Sequence, residues 1–150
     1  MKKLNTYLLL AALGALPLAT VAAEPANPPA KTAYRAVFDV TMDGIEKWDG
    51  VLQVIENVQR ALGAENVTIE VVAHGRAIGL VVAKTSAEHP ALQARIAKLH
   101  AQGIIFGACQ NTMRHLKLEK KDLVEEAVPV DAAVAELIRK QAEGWAYIKL

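Results

Sequence analysis

The sequence predicts an α/β protein built as a three-layer α/β/α sandwich around a mostly parallel five-stranded sheet. Strand-like segments alternate with segments of roughly ten to fifteen residues whose apolar side chains recur at helical spacing, a pattern typical of βαβ units. The segment 104–108 is apolar throughout, as expected of a strand buried on both faces. With 150 residues, of which 53% are hydrophobic and 22% charged, the chain fits one ordinary domain.

The five strands are predicted from short runs that are rich in apolar residues and end at polar residues or glycine. They are the segments 34–40, 67–73, 104–108, 128–130 and 146–150.

Three longer helices are predicted from their apolar stripes. The first carries Trp48 on its stripe and ends at Gly63, and the second begins at Pro90, which suits a first helical position. The third begins after Asp131, a good N-cap residue. Its predicted inward-facing residues are Val134, Leu137 and Ile138. The segment 110–116 has room for one or two helical turns, and 77–82 is apolar but receives no element.

Residues 1–23 have the three parts of a secretory signal. Lys2 and Lys3 precede an apolar run over 7–18, and small residues at 21–23 follow where a signal peptidase would cut. The run is shorter than the ~20 residues of a spanning helix, so we expect cleavage before Glu24 and no membrane attachment afterwards. The Pro-rich segment 24–32 is predicted to be a flexible leader before a domain over 33–150. In a Gram-negative bacterium the destination is the periplasm.

Charge and cysteine content exclude several classes of site. The formal net charge of +1 leaves no broad basic surface, so nucleic acid is not an expected partner. The single cysteine, Cys109, rules out an internal disulfide, a C-x-x-C pair and a Cys-rich zinc site. The four histidines show no metal-binding spacing, so no metal is expected.

The candidate site residues follow the predicted strands. In parallel sheets, ligands bind beyond the carboxyl ends of the strands, which here are followed by Asp43, by His74 and Gly75, and by Cys109. Backbone N–H groups at a helix start would stabilise a Cys109 thiolate, and Arg114 would add charge if it turned inward. His74 is suited to accept the thiol proton. The alternatives are a small buried cysteine, a histidine that caps backbone groups, and an Asp that only forms a turn.

Four stretches together resemble the DsrE/DsrF-like sulfur-relay superfamily, in particular its small exported branch. The resemblance covers about residues 33–150. The stretches are Lys47-Trp48, Val71-Val72-Ala73-His74-Gly75, Phe106-Gly107-Ala108-Cys109-Gln110-Asn111-Thr112-Met113 and Glu143-Gly144-Trp145-Ala146-Tyr147-Ile148. The resemblance implies a flavodoxin-like domain that forms homo-oligomers, often trimers or hexamers. It also implies that Cys109 carries a persulfide, as the corresponding cysteine does in the sulfur-transferring members.

Two functions remain open on this basis. The first is a sulfur carrier, a candidate sulfurtransferase, in which Cys109 takes sulfane sulfur and passes it to an acceptor thiol without a cofactor, assisted by His74. The backbone of Gln110, Asn111 and Thr112 would stabilise the anion. The remaining strand-end residues, Asp43, Gly75 and Arg114, are candidates for substrate contacts. The second function is a non-catalytic module that binds a small ligand or a partner in the same strand-end cleft, with Cys109 packed in its floor. The sulfur donor and acceptor are not identified by the sequence.

Overall fold

A computed structural model describes residues 33–150. The predicted signal peptide and leader, residues 1–32, lie outside the described residues. The confirmed architecture is an α/β fold with helices on both faces of a five-stranded sheet.

All pairings in the sheet are parallel, so the prediction of a mostly parallel sheet is confirmed and sharpened. The strand order is β4-β3-β2-β1-β5. The strands are β1 (Tyr34–Val40), β2 (Val67–Ala73), β3 (Ile105–Cys109), β4 (Ala127–Val130) and β5 (Ala146–Lys149). Cys109 is therefore the last residue of β3 instead of the residue after it.

The predicted helices are present, and the unassigned apolar segment also folds helically. The α-helices are α1 (Ile45–Leu62), α2 (Ala83–Glu88), α3 (Pro90–Ala101), α4 (Gln110–His115) and α5 (Ala133–Ala142). Three 3₁₀ helices connect them, at Ala64–Asn66, Gly75–Val81 and Lys120–Asp122. The second of these accounts for most of the segment 77–82.

The two faces of the sheet are covered unequally. The chain steps in one direction from β1 to β4 and then returns across the sheet to β5. Because crossovers between parallel strands are right-handed, this reversal places α5 on the face opposite to the earlier helices. The face under α1 and α3 holds the large apolar core. The other face, called here the α5 face, has a small apolar cluster in which α5 contributes Ala133 and Leu137.

The predicted orientation of α5 is wrong for two of its three residues. Val134 and Ile138 are 62% and 61% exposed, and only Leu137 of the three is buried. The reason is polar: Lys140, on the same side of the helix as Ala133 and Leu137, reaches the buried Glu70 with an Nζ–Oε2 distance of 2.8 Å. This ion pair turns the row 133, 137 and 140 towards the sheet.

The predicted N-cap of α5 also differs, since the helix is capped by Ala132 with no side-chain hydrogen bond, not by Asp131. Within residues 33–150, no helix combines the length and the apolar character that crossing a bilayer requires.

Candidate functional site

Cys109 lies at the point where the connections after β3 and β4 lead to opposite faces of the sheet. After β3 the chain enters α4, whose Met113 joins the core under α1, whereas after β4 it enters α5 on the other face. Such a parting of connections at neighbouring strand ends is where parallel α/β sheets form their binding sites. The Cys109 side chain belongs to the cluster on the α5 face. It is therefore placed between the starts of two helices.

The Cys109 sulfur accepts several hydrogen bonds. The backbone N–H of Ala133, at the start of α5, donates to Sγ over 3.3 Å. Burial acts to raise the pKa of the thiol, but hydrogen bonds from the backbone of Thr112, Ala133 and Asn111 and from the Thr112 hydroxyl outweigh it, so the pKa lies below its ordinary 9.0. Cys109 is only 4% exposed. The surroundings thus favour the thiolate while restricting access to it.

His74 makes its side-chain hydrogen bond away from Cys109. Its Nε2 lies 2.7 Å from Oδ1 of Asp39, a residue of β1. A direct hydrogen bond between His74 and the Cys109 sulfur is not present among the described residues. The Asp39 carboxylate, a strong acceptor, binds Nε2 of the ring, so Nδ1 is the ring nitrogen that remains for another partner.

Asp39 is the centre of a polar cluster that the sequence analysis missed. Its carboxylate is buried and also accepts hydrogen bonds from Tyr147 Oη at 2.7 Å and from Lys149 Nζ at 3.2 Å. Burial acts to raise the pKa of Asp39, yet the bonds from Tyr147, His74 and Lys149 and the charge of Lys149 bring it below its ordinary 3.8. We call Asp39, His74, Tyr147 and Lys149 the Asp39 cluster.

A signal for this cluster was present in the sequence. A carboxylate near the end of the largely apolar strand Tyr34–Val40 has to find donors when it is buried, and Asp39 is such a residue. Its partners Tyr147 and Lys149 lie in β5, and the register places Lys149 directly beside Asp39. Which residues met it depended on the strand order, which the sequence did not provide.

Four of the predicted site residues line one open cleft. The cavity has a volume of about 760 Å³, and Asp43, Gly75, Asn111 and Thr112 are among its lining residues. Its walls are largely apolar, with Trp48, Ile78, Val82, Leu116 and Leu118 contributing. The binding-module alternative expects Cys109 in the floor of this cleft, but Cys109 is not among the residues that line it.

Thr112 links the cleft to Cys109. Its Oγ1 accepts a hydrogen bond from the backbone N–H of Gly75 over 3.0 Å, and its own N–H and hydroxyl donate to the sulfur. The cleft and the thiol are therefore neighbours separated by one side chain.

Gln110 and Arg114 lie elsewhere. Both line a small depression beside Lys120 and Pro129. The Arg114 guanidinium donates to the side chain of Asn111, one turn earlier in the same short helix, and is exposed. Arg114 therefore does not turn inward to add charge at Cys109, because its side chain leaves the helix on the solvent side.

Within residues 33–150, no group of three or more His, Cys, Asp or Glu side chains is arranged to hold a metal ion.

Comparison with known proteins supports a single family. The sequence profile of the DsrE/DsrF-like family matches residues 49–150. Among solved structures, the chain is similar to MTH1491, a protein of unknown function from Methanobacterium thermoautotrophicum. The identity is 30% and the TM-score 0.70, over 78% of this chain and 99% of that one. No curated protein matches the chain in sequence.

Two further structures share the fold at lower identity. The YchN protein from E. coli is 12% identical with a TM-score of 0.61, over 79% of this chain and 99% of that chain. BT1422 from Bacteroides thetaiotaomicron, a conserved protein of unknown function, is 15% identical with a TM-score of 0.53, over 77% and 94% respectively. The resemblance found in the sequence is confirmed: the chain belongs to the DsrE/DsrF-like family.

Proposed function

We propose that the protein is a sulfur carrier that holds sulfane sulfur as a persulfide on Cys109. The observation that carries the proposal is the set of hydrogen bonds to Sγ from Ala133, Thr112 and Asn111. Structural cysteines buried in apolar surroundings have raised pKa values, whereas the pKa of this thiol is lowered. A thiolate is the form that attacks sulfur.

The loading step is a displacement at sulfur. The Cys109 thiolate attacks the outer sulfur of thiosulfate, the new S–S bond forms, and the bond to the sulfonate group breaks so that sulfite leaves with the electron pair. The product is Cys109–S–S⁻, which carries the same charge as the attacking thiolate. In unloading, an acceptor thiol R–SH attacks the terminal sulfur, giving R–S–S⁻ and Cys109–SH. Neither step needs a cofactor or an external oxidant.

The N–H groups around Sγ support both states of the residue. They stabilise the thiolate before loading, and because they lie at the starts of α4 and α5 they can also stabilise the charge of the persulfide. Because Cys109 is so little exposed, slender donors such as thiosulfate or inorganic polysulfide are expected to react faster than a bulky protein persulfide.

Intact mass measurement tests the proposal. Purified protein is incubated with thiosulfate or polysulfide, and its mass is expected to rise by one sulfur atom and return to the original value after reduction. In parallel, alkylation of the thiol is expected below the ordinary thiol pKa. A protein that stays unmodified with both donors and alkylates only above ~8.5 contradicts the sulfur-carrier function.

A binding module is the second candidate, favoured by the apolar cleft of about 760 Å³. Pockets of this size commonly hold small molecules. The two functions are separable because Cys109 lies outside the cleft wall. We expect Thr85→Trp, which fills the cleft, to remove binding of an apolar dye and leave sulfur loading intact, and Cys109→Ser to do the reverse. Loss of loading in Thr85→Trp at unchanged folding would contradict this separation, since it would show that the sulfur donor reaches Cys109 through the cleft.

We also propose that the protein forms a homo-oligomer. Support comes from large apolar side chains left exposed on the α5 side and at the edge strand β5, namely Val134, Ile138, Tyr147 and Ile148. Sedimentation at low micromolar concentration is expected to show a species larger than the monomer, and Ile138→Asp is expected to weaken it. A monomer in the unmodified protein contradicts this.

Export to the periplasm is proposed from residues 1–23 alone. The native protein is expected to begin at or near Glu24, which mass analysis of its N-terminus decides. A start at Met1 in the membrane fraction contradicts export by a cleavable signal.

A further inference from the structure

The groups that hold the Cys109 sulfur cannot remove its proton. All of the hydrogen bonds described for Sγ come from donors, namely backbone N–H groups and the Thr112 hydroxyl. Donors stabilise a thiolate once it exists, but the thiol proton needs an acceptor. Among the described residues near this end of β3, the side chain suited to accept a proton near neutral pH is that of His74.

The strand register places His74 beside Cys109. Ala73 of β2 pairs with Ala108 of β3, so the next residues along the two strands are His74 and Cys109. One residue further along, the Gly75 N–H donates a hydrogen bond to Thr112 Oγ1, which links the segment after β2 to the segment after β3. His74 and Cys109 therefore lie between the Ala73–Ala108 strand pair and the Gly75–Thr112 hydrogen bond. Neighbouring strands are ~4.8 Å apart, which is within the reach of an imidazole or of one water.

Both residues also belong to the same face of the sheet. Cys109 packs in the α5-face cluster with Val37 and Val72. Side chains two residues apart in a strand share a face, so His74 follows Val72 and Asp39 follows Val37 on that face. The His74–Asp39 hydrogen bond confirms this placement.

The Asp39 carboxylate determines which His74 nitrogen carries the proton. Oδ2 of Asp39 is occupied by Tyr147 and Lys149, and Oδ1 by His74 Nε2. A carboxylate held by an ammonium group and a phenol donor is ionised at neutral pH and only accepts hydrogen bonds. Neutral His74 must therefore be protonated at Nε2, which leaves the lone pair on Nδ1.

We propose that Asp39 is a positioning residue for the reaction at Cys109, where it holds His74 in the tautomer whose Nδ1 takes the thiol proton. This inference rests on the sulfur-carrier function proposed above. Asp39 lies in β1, His74 directly follows β2 and Cys109 ends β3, so the order of the three residues follows the order of these neighbouring parallel strands.

The proton balance of the step is simple. Cys109–SH gives its proton to Nδ1, which yields Cys109–S⁻ and an imidazolium whose Nε2–H remains bonded to Asp39. The thiolate then attacks the outer sulfur of thiosulfate and sulfite leaves with the electron pair. The imidazolium returns its proton to water, and Asp39 stays ionised throughout.

A double-mutant cycle tests the inference. The rate of Cys109 alkylation by iodoacetamide and the rate of persulfide formation with thiosulfate are measured against pH in Asp39→Asn, His74→Ala and the double variant. Loss of a positioned base costs ~10² to 10⁴ in rate, and we expect Asp39→Asn to approach the loss seen in His74→Ala near pH 7. The double variant is expected to be no slower than His74→Ala. At high pH, where hydroxide forms the thiolate, the rates should converge.

Additive losses in the double variant, or an unchanged rate in Asp39→Asn, would overturn the inference. Glu56→Gln is the control, because it neutralises a partly buried carboxylate that is paired with Arg95 on the opposite side of the sheet. It is expected to leave both rates unchanged, and a loss equal to that in Asp39→Asn would also overturn the inference, since it would assign the effect to the loss of any carboxylate charge.

A measurement on the unmodified protein tests the inference even if Asp39→Asn does not fold. The ¹⁵N shifts of the histidine rings, with the His74 signals assigned from His74→Gln, are expected to show protonated Nε2 and unprotonated Nδ1 in the neutral ring. The opposite tautomer overturns the inference. The two proposals can fail separately: if no persulfide forms while alkylation shows the coupling, the sulfur-carrier function is wrong and the positioning of His74 stands.

Discussion

The two faces of the sheet differ in what they bury. Under α1 and α3 the face is covered by large apolar side chains such as Phe38, Leu52 and Ile55, packed without charged partners. The α5 face buries two carboxylates, Asp39 and Glu70, together with the thiol of Cys109. Among residues 33–150, α5 is the helix that packs on this second face. The first face therefore supplies most of the hydrophobic stability, whereas the second buries the groups whose pKa values are shifted, Asp39, Glu70 and Cys109.

The two buried carboxylates differ in their hydrogen-bond partners and in the direction of their pKa shifts. Asp39, near the end of β1, has three donors and a lowered pKa. For Glu70, in the middle of β2, burial raises the pKa more than the bond and charge of Lys140 lower it. Lys140 also lies over the Trp145 ring, 4.4 Å from its centroid, in a cation–π contact. Glu70 determines how α5 packs through its ion pair with Lys140, whereas Asp39 accepts a hydrogen bond from His74.

The largest effect expected on the α5 face is from Cys109→Ser. Sulfur loading should be lost completely, because a serine hydroxyl does not ionise at neutral pH and forms no persulfide. Stability should change by no more than about 1 kcal/mol, since the hydroxyl oxygen can still accept the Ala133 N–H. Intact mass after thiosulfate treatment and urea unfolding measure the two effects. Residual loading in this variant would place the carried sulfur on another residue.

On the opposite face, Ile55→Ala should show the reverse pattern. Ile55 is fully buried in α1, and removing its side chain leaves a cavity that costs about 2–5 kcal/mol of unfolding free energy. The loading rate of the folded protein should stay at the wild-type value. A loading defect at a temperature where the variant is folded would show that the two faces are coupled.

A smaller effect is expected where the cleft meets the large core. A methyl group added at Gly79 would lie 2.4 Å from the Trp48 ring, which is itself held by its Nε1–H to the carbonyl of Met42. Gly79→Ala should therefore cost about 1–3 kcal/mol. Gly50→Ala is the control: it lies in α1 with open space around it and should stabilise by about 0.5–1 kcal/mol. Equal effects on urea unfolding would contradict this packing.

The smallest effect is in the pH dependence of stability and has opposite sign for the two carboxylates. Because the pKa of Asp39 is lowered on folding, its stabilising contribution is present above 3.8 and is lost as pH falls through its folded pKa. Because the pKa of Glu70 is raised, its contribution is present below 4.5 and is lost as pH rises through its folded pKa.

Urea unfolding against pH tests this difference. Asp39→Asn should flatten the acid side of the curve, and Glu70→Gln should flatten the decline above 4.5, each by at most about 1.4 kcal/mol per pH unit. Identical curves for the two variants would contradict the assignment of opposite pKa directions.

The sequence by itself determined the α/β class, the five strands and the family. Apolar periodicity reports the local backbone, so β1, β2 and α1 were predicted within a few residues of their bounds. It also placed Cys109 at a strand end, since a short apolar run followed by polar residues marks that boundary. The cleft was anticipated in part, because Asp43, Gly75, Asn111 and Thr112 follow strands that share one edge.

Only the tertiary structure decided the strand order, the rotation of α5 and the partner of His74. These depend on contacts between residues far apart in the chain, such as Asp39 with Tyr147 and Glu70 with Lys140. The hydrophobicity pattern predicted that Val134 and Ile138 face inward. A buried charge must be paired, however, and the pairing of Glu70 with Lys140 leaves both residues exposed. Local sequence indicates the elements because the spacing of apolar side chains follows the local backbone conformation, whereas the site is assembled by long-range pairing of buried polar groups.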